Sequence, residues 1–332
     1  MKAVILQENR EFKLETVAIP QPEPNQIQVK ITASGFNPID YQMTENQFER
    51  KLIHSPILGR EFSGIITAIG TEVTEFKIGD AVFSGSGSMG SNGTYAEYIC
   101  VPEGIAVKKP QNISFAAAAG IPSAGLTALQ SFKRMNASAA DSIFIAGAAG
   151  GVGNMFIKLL TANNFKKFLV TAGNDESISS LINLGVKREQ IVNYKKEDVY
   201  ETALSLNENK KFDIVVDLVG NTIADIAAKL LKINGTYIDV TNFLTAESRS
   251  ILFTKGAAIY NISNYAYGIE KQYEYYKNGL SELSYLIENE IISPPSISVI
   301  GELNTETVNK ALAILRENKT YGRKLIMKIN KE

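Results

Sequence analysis

One glycine-rich stretch has the residue types and spacing that point most directly to chemistry. The apolar run 143–146 leads into a turn with Ala148, Gly150 and Gly153 at the three positions of a G-x-G-x-x-G-like fingerprint, and a helical pattern follows. Such a turn can cradle a pyrophosphate, because glycine lets backbone approach the ligand and the first N–H groups of the helix face its charge. The stretch therefore predicts a dinucleotide site.

Few other side chains in the sequence could carry out catalysis. The chain has one histidine, His54, and one cysteine, Cys100. Catalytic zinc commonly takes three protein ligands, mostly His and Cys, so we expect no zinc site. His54 precedes a proline turn and is typical of a loop, and Cys100 lies in a strand-like run, where it is typical of packing. A single cysteine precludes an internal disulfide and indicates a cytoplasmic protein. A bound cofactor would bring the chemistry.

The segments that follow the glycine turn alternate between short apolar runs and helical spacing. Such alternation is typical of a parallel sheet covered by helices on both faces. We predict a doubly wound Rossmann domain over residues 122–262. Its apolar runs after the first one are 168–171, 191–192, 214–218, 237–240 and 259–262.

The remaining parts of the chain predict a second domain. Short β-rich runs separated by turns indicate a β-rich domain, an irregular antiparallel sheet or partial barrel, over residues 1–121. Two helical patterns and a last apolar run predict that residues 263–332 return to it. The fold class is therefore α/β.

A net charge of −1 gives no reason to expect nucleic acid as a partner, and no apolar run is long enough to span a membrane.

The end of the second Rossmann strand bears on the choice of cofactor. NAD specificity commonly uses a carboxylate there, bonded to the ribose 2′-OH, but this chain has Ala172. The missing acid makes room for a 2′-phosphate and favours NADP(H) over NAD(H). Ser177 supplies no positive charge, so a lysine would have to reach the phosphate, with Tyr194 beside the adenosine. The lysines considered are Lys195, Lys319 and Lys324.

A series of short motifs follows in a distinctive order along the whole chain. They lie at residues 35–40, 59–64, 76–82, 93–98, 118–122, 147–153, 192–194 and 322–325. Together they resemble the zinc-free quinone oxidoreductases of the medium-chain dehydrogenase/reductase superfamily. The resemblance implies a GroES-like β-rich catalytic domain, a Rossmann domain that binds NADP(H), and a homodimer joined through the edge strand 258–262.

The same resemblance implies which residues contact the cofactor. Those around the pyrophosphate are Ala149, Gly150, Gly151 and Val152. Those facing the adenosine half are Gly173, Asn174 and Tyr194. Asn221 and Thr241 are either ribose or backbone contacts, or helix caps and turn residues. Thr127 and Asn37 border the nicotinamide.

Comparison with the zinc-dependent relatives implies an acceptor site without metal. Asn37 stands where those relatives have a catalytic cysteine, and Arg60 stands where they have a histidine. Asn37 is expected to bind the acceptor carbonyl or the nicotinamide ribose. Tyr41 and Arg60 are expected to face the same cleft, although an ion pair with a nearby carboxylate is the alternative for Arg60. Phe48 replaces a tyrosine that enoyl-thioester reductases of the superfamily use as an acid.

These expectations combine into a functional hypothesis. The protein is expected to transfer a hydride from NADPH to a small-molecule acceptor, a quinone or an activated enone, while solvent supplies protons and positioning supplies the catalysis. The alternatives are an enoyl-thioester reductase of the same superfamily, which the loss of the tyrosine at Phe48 disfavours, and a cofactor-binding protein with little turnover.

Overall fold

The computed structural model describes residues 1–46, 50–51, 54–87 and 89–330. The chain divides into two compact units. The first consists of Met1–Leu126 together with Tyr265–Glu332, and the second is Thr127–Asn264. The limits between the units fall close to the domain limits predicted at 121 and 262, with the first of them inside the helix Pro122–Arg134.

Strands and α-helices occur along the whole described part of the chain. The strands are β1 (Lys2–Leu6), β2 (Phe12–Thr16), β3 (Gln26–Gly35), β4 (Glu61–Ile69), β5 (Ala81–Ser84), β6 (Tyr98–Pro102), β7 (Ala106–Lys108), β8 (Ile143–Ala146), β9 (Phe168–Ala172), β10 (Ile191–Asn193), β11 (Phe212–Asp217), β12 (Leu231–Asp239), β13 (Ala258–Asn261), β14 (Ile297–Glu302) and β15 (Lys324–Lys328). The α-helices are Pro38–Glu45, Phe115–Ala119, Pro122–Arg134, Gly151–Ala162, Asp175–Asn183, Val199–Leu206, Thr222–Leu230, Ala246–Thr254, Asn264–Ile269, Glu274–Glu288 and Thr305–Arg316.

The first unit is built on a seven-stranded sheet. Its strands run in the order β14-β15-β3-β4-β5-β7, and β6 pairs with β3 off this path. The long strand β3 is therefore central, with antiparallel partners β4, β6 and β15. The pairing of β15 with β3 brings the C-terminal end of the chain back to the N-terminal sheet, where Met327 stands opposite Ser34.

A cluster of apolar side chains packs β1 and the C-terminal helix of the first unit together. Its buried members come from β1, from β15, from the helix Thr305–Arg316, and from the loop residues Phe36, Ile57, Leu58, Tyr95 and Ala96. The rings of Phe36 and Tyr95 lie 5.0 Å apart between centroids. This cluster packs the helix that follows Asn37 against the sheet, and so it sets where the polar residues at that helix end lie.

The second unit is a six-stranded sheet in which every strand pair is parallel. The strand order is β10-β9-β8-β11-β12-β13. Strands β8 and β9 are buried along their whole length, as expected for strands covered by helices on both faces. The order of the strands reverses beside β8, and in open parallel sheets ligands bind beyond the carboxyl ends of the strands at such a point. The predicted Rossmann architecture and its α/β class are confirmed.

Two further expectations concern the cysteine and the membrane. Cys100 lies fully buried in β6, and burial raises the pKa of its thiol to about 12, so it is a packing residue and not a nucleophile at neutral pH. Over the described residues, no helix is both long enough and apolar enough to cross a bilayer.

Candidate active site

The glycine turn lies at the carboxyl end of β8 and is shaped by two close approaches. Gly147 has φ +78°, which strains other residues, and a Cβ there would come within 2.5 Å of Val219. A Cβ at Gly153 would lie 2.5 Å from the Cα of Ala148, so only glycine lets the helix Gly151–Ala162 pack this closely against the turn. Asn154 secures the turn by donating its side-chain amide to the carbonyl oxygens of Ala148 and Gly150.

Gly150 differs from both of these glycines, because no described protein atom requires it to be a glycine. Its φ is −81°, and the nearest atom that a Cβ would meet is the Gly147 oxygen at 3.6 Å. Gly150 is also the N-cap of the helix, so no side chain caps the first N–H groups. The space that a Cβ would fill lies beside free helix donors and a positive dipole end. These features fit the pyrophosphate of a dinucleotide.

The end of β9 carries the residues predicted for the adenosine half. Ala172 is buried and leaves no carboxylate there. The ring of Tyr194 packs so closely on Gly173 that a Cβ would lie 2.7 Å from its Cε1 atom. Asn174 caps the next helix by accepting a hydrogen bond from the backbone N–H of Ser177 at 2.8 Å. The structure therefore places Gly173 against the Tyr194 ring, with Asn174 next in the chain. That these residues face the adenosine stays a prediction.

The three lysines considered for the 2′-phosphate have different environments. Lys195 is exposed and follows Tyr194 in the second unit. Lys319 is paired with Glu317 at 2.6 Å in the first unit. Lys324 is buried, and its ammonium is held in an ion pair with Glu61. Of the three, only Lys195 belongs to the unit that carries the glycine turn.

Two buried aspartates at the carboxyl ends of β11 and β12 were missed by sequence reasoning. Asp217 and Asp239 stand opposite each other in the strand register. Asp217 accepts hydrogen bonds from the N–H groups of Val219 and Gly220 at 2.9 and 2.8 Å, and from the Tyr237 hydroxyl at 2.7 Å. A polar residue directly after an apolar strand was the available signal, since such residues commonly hold the following loop.

Asp239 organises the neighbouring loop in the same way. One of its oxygens accepts hydrogen bonds from the N–H groups of Thr241 and Asn242 at 3.1 and 2.9 Å, while the other oxygen is buried with no partner among the described residues. Burial raises the pKa of Asp239, and the negative charge of Asp217 acts in the same direction. The two aspartates thus shape the loops that carry Asn221 and Thr241.

The three remaining residues predicted to contact the cofactor differ in conformation and in hydrogen bonding. Asn221 has φ +54° and ψ −134° and precedes the helix Thr222–Leu230, yet its exposed side chain makes no capping hydrogen bond. Thr241 accepts a hydrogen bond from the N–H of Phe243 at 3.3 Å, which is the behaviour of a turn residue. Thr127 accepts a hydrogen bond from the side chain of Asn264 at 2.9 Å. Whether these three side chains contact a cofactor stays a prediction.

In the first unit, the amide of Asn37 is held by a buried ion pair. Its Nδ2 donates to Glu61 at 2.9 Å and its Oδ1 accepts from the Lys324 ammonium at 2.8 Å. Lys324 and Glu61 are 2.5 Å apart, with side-chain exposures of 7% and 0%. The second oxygen of Glu61 accepts the backbone N–H of Ser123 at 2.7 Å, and Lys324 also donates to the carbonyl of Phe36 at 3.1 Å. Both ends of the Asn37 amide are thereby fixed in orientation.

A second buried carboxyl group lies at the other side of Asn37. Asp40 accepts hydrogen bonds from the backbone N–H of Asn37 at 2.8 Å and from the hydroxyl of Tyr95 at 2.9 Å. Burial raises the pKa of Asp40 to about 6, although these hydrogen bonds and the charge of Arg60 act in the opposite direction. Burial, together with the nearby Asp40 charge, also raises the pKa of Tyr95 well above its usual value. These groups fix the start of the helix Pro38–Glu45.

The other residues predicted at the acceptor site are found in separate surroundings. Tyr41 is half-buried against the apolar cluster of the first unit, with the Arg316 guanidinium 5.6 Å from its ring centroid. Arg60 is half-buried and donates to the sulfur of Met43 at 3.6 Å. The alternative of an ion pair for Arg60 is not found among the described residues. Phe48 lies outside the described residues.

The side chains that could bind a metal are few. Over the residues that the structure describes, no three His, Cys, Asp or Glu side chains are grouped so that they could hold a metal ion. The amide of Asn37 and the guanidinium of Arg60 are not zinc ligands. That the protein acts without metal stays a prediction.

Comparison with known proteins agrees with this architecture. Residues 23–111 match the family model described as an alcohol dehydrogenase GroES-like domain, and residues 151–277 match that of a zinc-binding dehydrogenase. A quinone oxidoreductase of Rattus norvegicus is 30% identical over 235 residues, which cover 69% of this chain and 68% of that protein. A chloroplastic NADPH-dependent alkenal/one oxidoreductase of Arabidopsis thaliana is 28% identical over 264 residues, 76% of this chain.

The chain spans just under two thirds of the length of the Arabidopsis relative, 65%. Among solved structures, Escherichia coli quinone oxidoreductase complexed with NADPH has the same fold, with a TM-score of 0.87 and 23% identity over 99% of this chain and 100% of that one. The chain belongs to the medium-chain dehydrogenase/reductase superfamily, in the family of the quinone oxidoreductases.

Proposed function

We propose that this protein is an NADPH-dependent, metal-independent reductase that transfers a hydride to a quinone or an activated enone. The observation that carries the proposal is the open cradle at Gly150, where free helix donors face a space that no described protein atom fills. The names of the rat and Arabidopsis relatives support the acceptor class.

The chain's own residues divide the work between holding the cofactor and orienting the acceptor. When bound, the reduced nicotinamide supplies the hydride. The backbone of residues 149–152 would hold the pyrophosphate, and Tyr194 would face the adenosine. Asn37 has one Nδ2 hydrogen committed to Glu61, and its second hydrogen is available for the carbonyl oxygen of an acceptor. Because its amide is fixed at both ends, Asn37 donates without reorganisation.

The reduction of a quinone or an activated enone needs little catalysis beyond the placement of the acceptor next to the nicotinamide. The reduced quinone is aromatic, so the driving force lies in the acceptor, and correct placement supplies the acceleration. Solvent supplies the proton, since the buried hydroxyl of Tyr95 is already committed to Asp40.

The test is the oxidation of NADPH by purified protein against a panel of quinones, enones and enoyl thioesters. We expect turnover with quinones or enones and much slower turnover with crotonyl-CoA. Treatment with a metal chelator should not lower the rate. Phe48→Tyr is run alongside, because a hydroxyl restored there should raise the rate with the thioester selectively. Binding of NADPH without oxidation across the panel would instead favour a cofactor-binding protein, and crotonyl-CoA as the best acceptor would favour an enoyl reductase.

Lys195 is proposed to supply the charge for the 2′-phosphate. It is exposed and it follows Tyr194. The exposed acids Asp175 and Glu176 come shortly after Ala172 and would repel a 2′-phosphate there, so a positive charge is needed to offset them. For Lys195→Gln we expect the Kd for NADPH to rise about tenfold while the Kd for NADH stays the same, because one charge-assisted hydrogen bond to phosphate is lost.

Lys167→Gln is the matched control for this substitution. Lys167 is also exposed, but it precedes β9 and therefore lies at the opposite edge of the parallel sheet. The ratio of the two dissociation constants should not change in this variant. A lower Kd for NADH than for NADPH in the unmodified protein would contradict the proposed cofactor preference.

We further propose that the protein is cytoplasmic and forms a homodimer through β13. This strand is at the edge of the six-stranded sheet and is largely exposed, with Ile259 41% exposed. For Ile259→Lys we expect the dimer dissociation constant to rise at least about tenfold in sedimentation experiments, because like charges would meet across the joined edges. Phe253→Lys, at another exposed apolar residue, is the control and should leave the dimer intact. A monomeric unmodified protein would refute this proposal.

A further inference from the structure

The side chain of Asn154 holds a part of the glycine turn that the helix itself does not hold. Asn154 lies on the helix Gly151–Ala162 and is only 6% exposed. Its Nδ2 donates to the carbonyl oxygen of Gly150 at 3.0 Å and to that of Ala148 at 3.2 Å. The Gly150 oxygen also accepts the backbone N–H of Asn154 at 2.9 Å, as at the start of any helix. The Gly150 carbonyl is therefore held with or without the side chain.

The Ala148 carbonyl, in contrast, depends on the Asn154 amide. Ala148 is fully buried, and over the described part of the chain Nδ2 of Asn154 is the one hydrogen-bond donor to its carbonyl oxygen. A buried carbonyl without a donor is costly, because it has lost its bonds to water. The peptide that joins Ala148 to Ala149 therefore keeps the orientation in which its oxygen faces Asn154.

This orientation decides where the next N–H group points. The peptide bond after Ala148 is trans, so the N–H of Ala149 points in the direction opposite to the Ala148 carbonyl, away from the Asn154 side chain. Ala149 and Gly151 are both half-buried, and neither backbone N–H has a hydrogen-bond partner among the residues that the structure describes. Both donors are left for a ligand of the turn.

We propose that Asn154 is a positioning residue for the cofactor, which aims the N–H of Ala149 at the pyrophosphate by holding the Ala148 carbonyl. This inference deepens the proposed function and rests on it for NADPH as the ligand. Asn154 acts through the peptide and does not itself bind the cofactor. Without its amide the peptide can rotate, and the N–H of Ala149 is no longer preorganised for an anion.

The test compares two ligands that differ in whether they carry a pyrophosphate. Adenosine 2′-monophosphate has the adenosine and the 2′-phosphate of NADPH and lacks the pyrophosphate. Asn154→Leu keeps a side chain of similar size and removes the donor. We expect it to raise the Kd for NADPH about tenfold in calorimetry and to leave the Kd for adenosine 2′-monophosphate unchanged. A general loss of structure would raise both dissociation constants, so an equal rise in the two would overturn the proposal.

Asn163→Leu is the matched control. Asn163 caps the other end of the same helix, and its Nδ2 also donates to a backbone carbonyl oxygen, that of Leu159 at 2.8 Å. Because this end of the helix is remote from the glycine turn, neither dissociation constant should change. Thermal unfolding of the unliganded protein shows whether each variant is folded.

Asn154→Ser separates the two carbonyl groups that the amide holds. A serine hydroxyl on a helix can donate to the carbonyl four residues earlier, here that of Gly150, but it is too short to reach Ala148. We expect Asn154→Ser to weaken the binding of NADPH as much as Asn154→Leu does. A serine variant that binds NADPH as tightly as the unmodified protein would show that the Ala148 carbonyl does not matter, which would overturn the proposal.

Inorganic pyrophosphate separates this inference from the proposed function. The anion alone should bind to the unmodified protein, and Asn154→Leu should weaken its binding about tenfold. Binding of pyrophosphate or NADPH that depends on Asn154, without oxidation of NADPH by any acceptor, would uphold the positioning role and refute the proposed function. Oxidation of NADPH, with the same dissociation constants in the unmodified protein and in Asn154→Leu, would overturn the positioning role and leave the function intact.

Discussion

Lys324→Met is expected to lower the free energy of unfolding by about 3–5 kcal/mol, as is typical when one partner of a buried ion pair is removed. Glu61 is fully buried, and its charged partner is the Lys324 ammonium, 2.5 Å away. The variant leaves the carboxylate with two neutral donors, the Asn37 amide and the backbone N–H of Ser123. Two neutral hydrogen bonds do not offset the removal of a carboxylate from water. Denaturant unfolding followed by circular dichroism measures the change.

The double variant Lys324→Met with Glu61→Gln is the control for this prediction. Glutamine carries no charge, so the uncompensated carboxylate is gone. Its one oxygen can accept from the Ser123 N–H, and its NH2 group can donate to the Asn37 amide, which is free to turn over once Lys324 no longer holds its oxygen. We expect the double variant to recover at least half of the lost stability, because replacing both members of a buried pair costs much less than removing one. A double variant as unstable as Lys324→Met would show that lost packing, and not an unpaired charge, is the cause.

Gly150→Ala is expected to raise the Kd for NADPH at least about tenfold, roughly 1.4 kcal/mol of binding free energy, with almost no loss of stability. The backbone at Gly150 is compatible with alanine, and the new Cβ would meet only the Gly147 oxygen at ordinary contact distance, 3.6 Å. It would instead occupy the space in which the pyrophosphate approaches the helix donors. Fluorescence titration with NADPH and a thermal melt of the unliganded protein measure the two effects.

Gly153→Ala is the counterpart that should behave in the opposite way. Its Cβ would lie 2.5 Å from the Cα of Ala148, so the helix must move away from the turn, at a cost of about 1–3 kcal/mol in stability. The melting temperature of the unliganded protein should therefore fall for Gly153→Ala and stay near that of the unmodified protein for Gly150→Ala. Equal melting temperatures in the two variants, with unchanged NADPH affinity for Gly150→Ala, would argue against a cofactor cradle at this turn.

Much of the Rossmann unit could be predicted from local pattern. A strand buried on both faces is a continuous apolar run, and both β8 and β9 are of this kind. The parallel order of these strands follows from the helices between them. The glycine positions of the turn could also be predicted, because only glycine lets two backbone segments, or backbone and ligand, approach closely in any fold. The absence of a carboxylate at Ala172 and the scarcity of His and Cys likewise needed only the sequence.

The polar network of the first unit could not be predicted from local sequence pattern. Lys324 was predicted as a cation for the cofactor, yet its ammonium is committed to Glu61 and Asn37, and it lies in a different unit from the glycine turn. The buried aspartates at the ends of β11 and β12 were missed, because an aspartate that holds a loop has the same local pattern as one that ends a strand in solvent. The alternative for Arg60, an ion pair with a carboxylate, is not found among the described residues, although its charge acts on the buried Asp40.

The sequence alone determined the family of this protein and predicted a phosphate cradle at Gly150, because both depend on residue types within short motifs. The tertiary structure decided which charges meet. Asn37 and Lys324 are 287 residues apart, and they meet because β15 pairs with β3. Long-range strand pairing leaves no periodic trace at either partner, so only the folded chain shows that Lys324 is buried in an ion pair with Glu61.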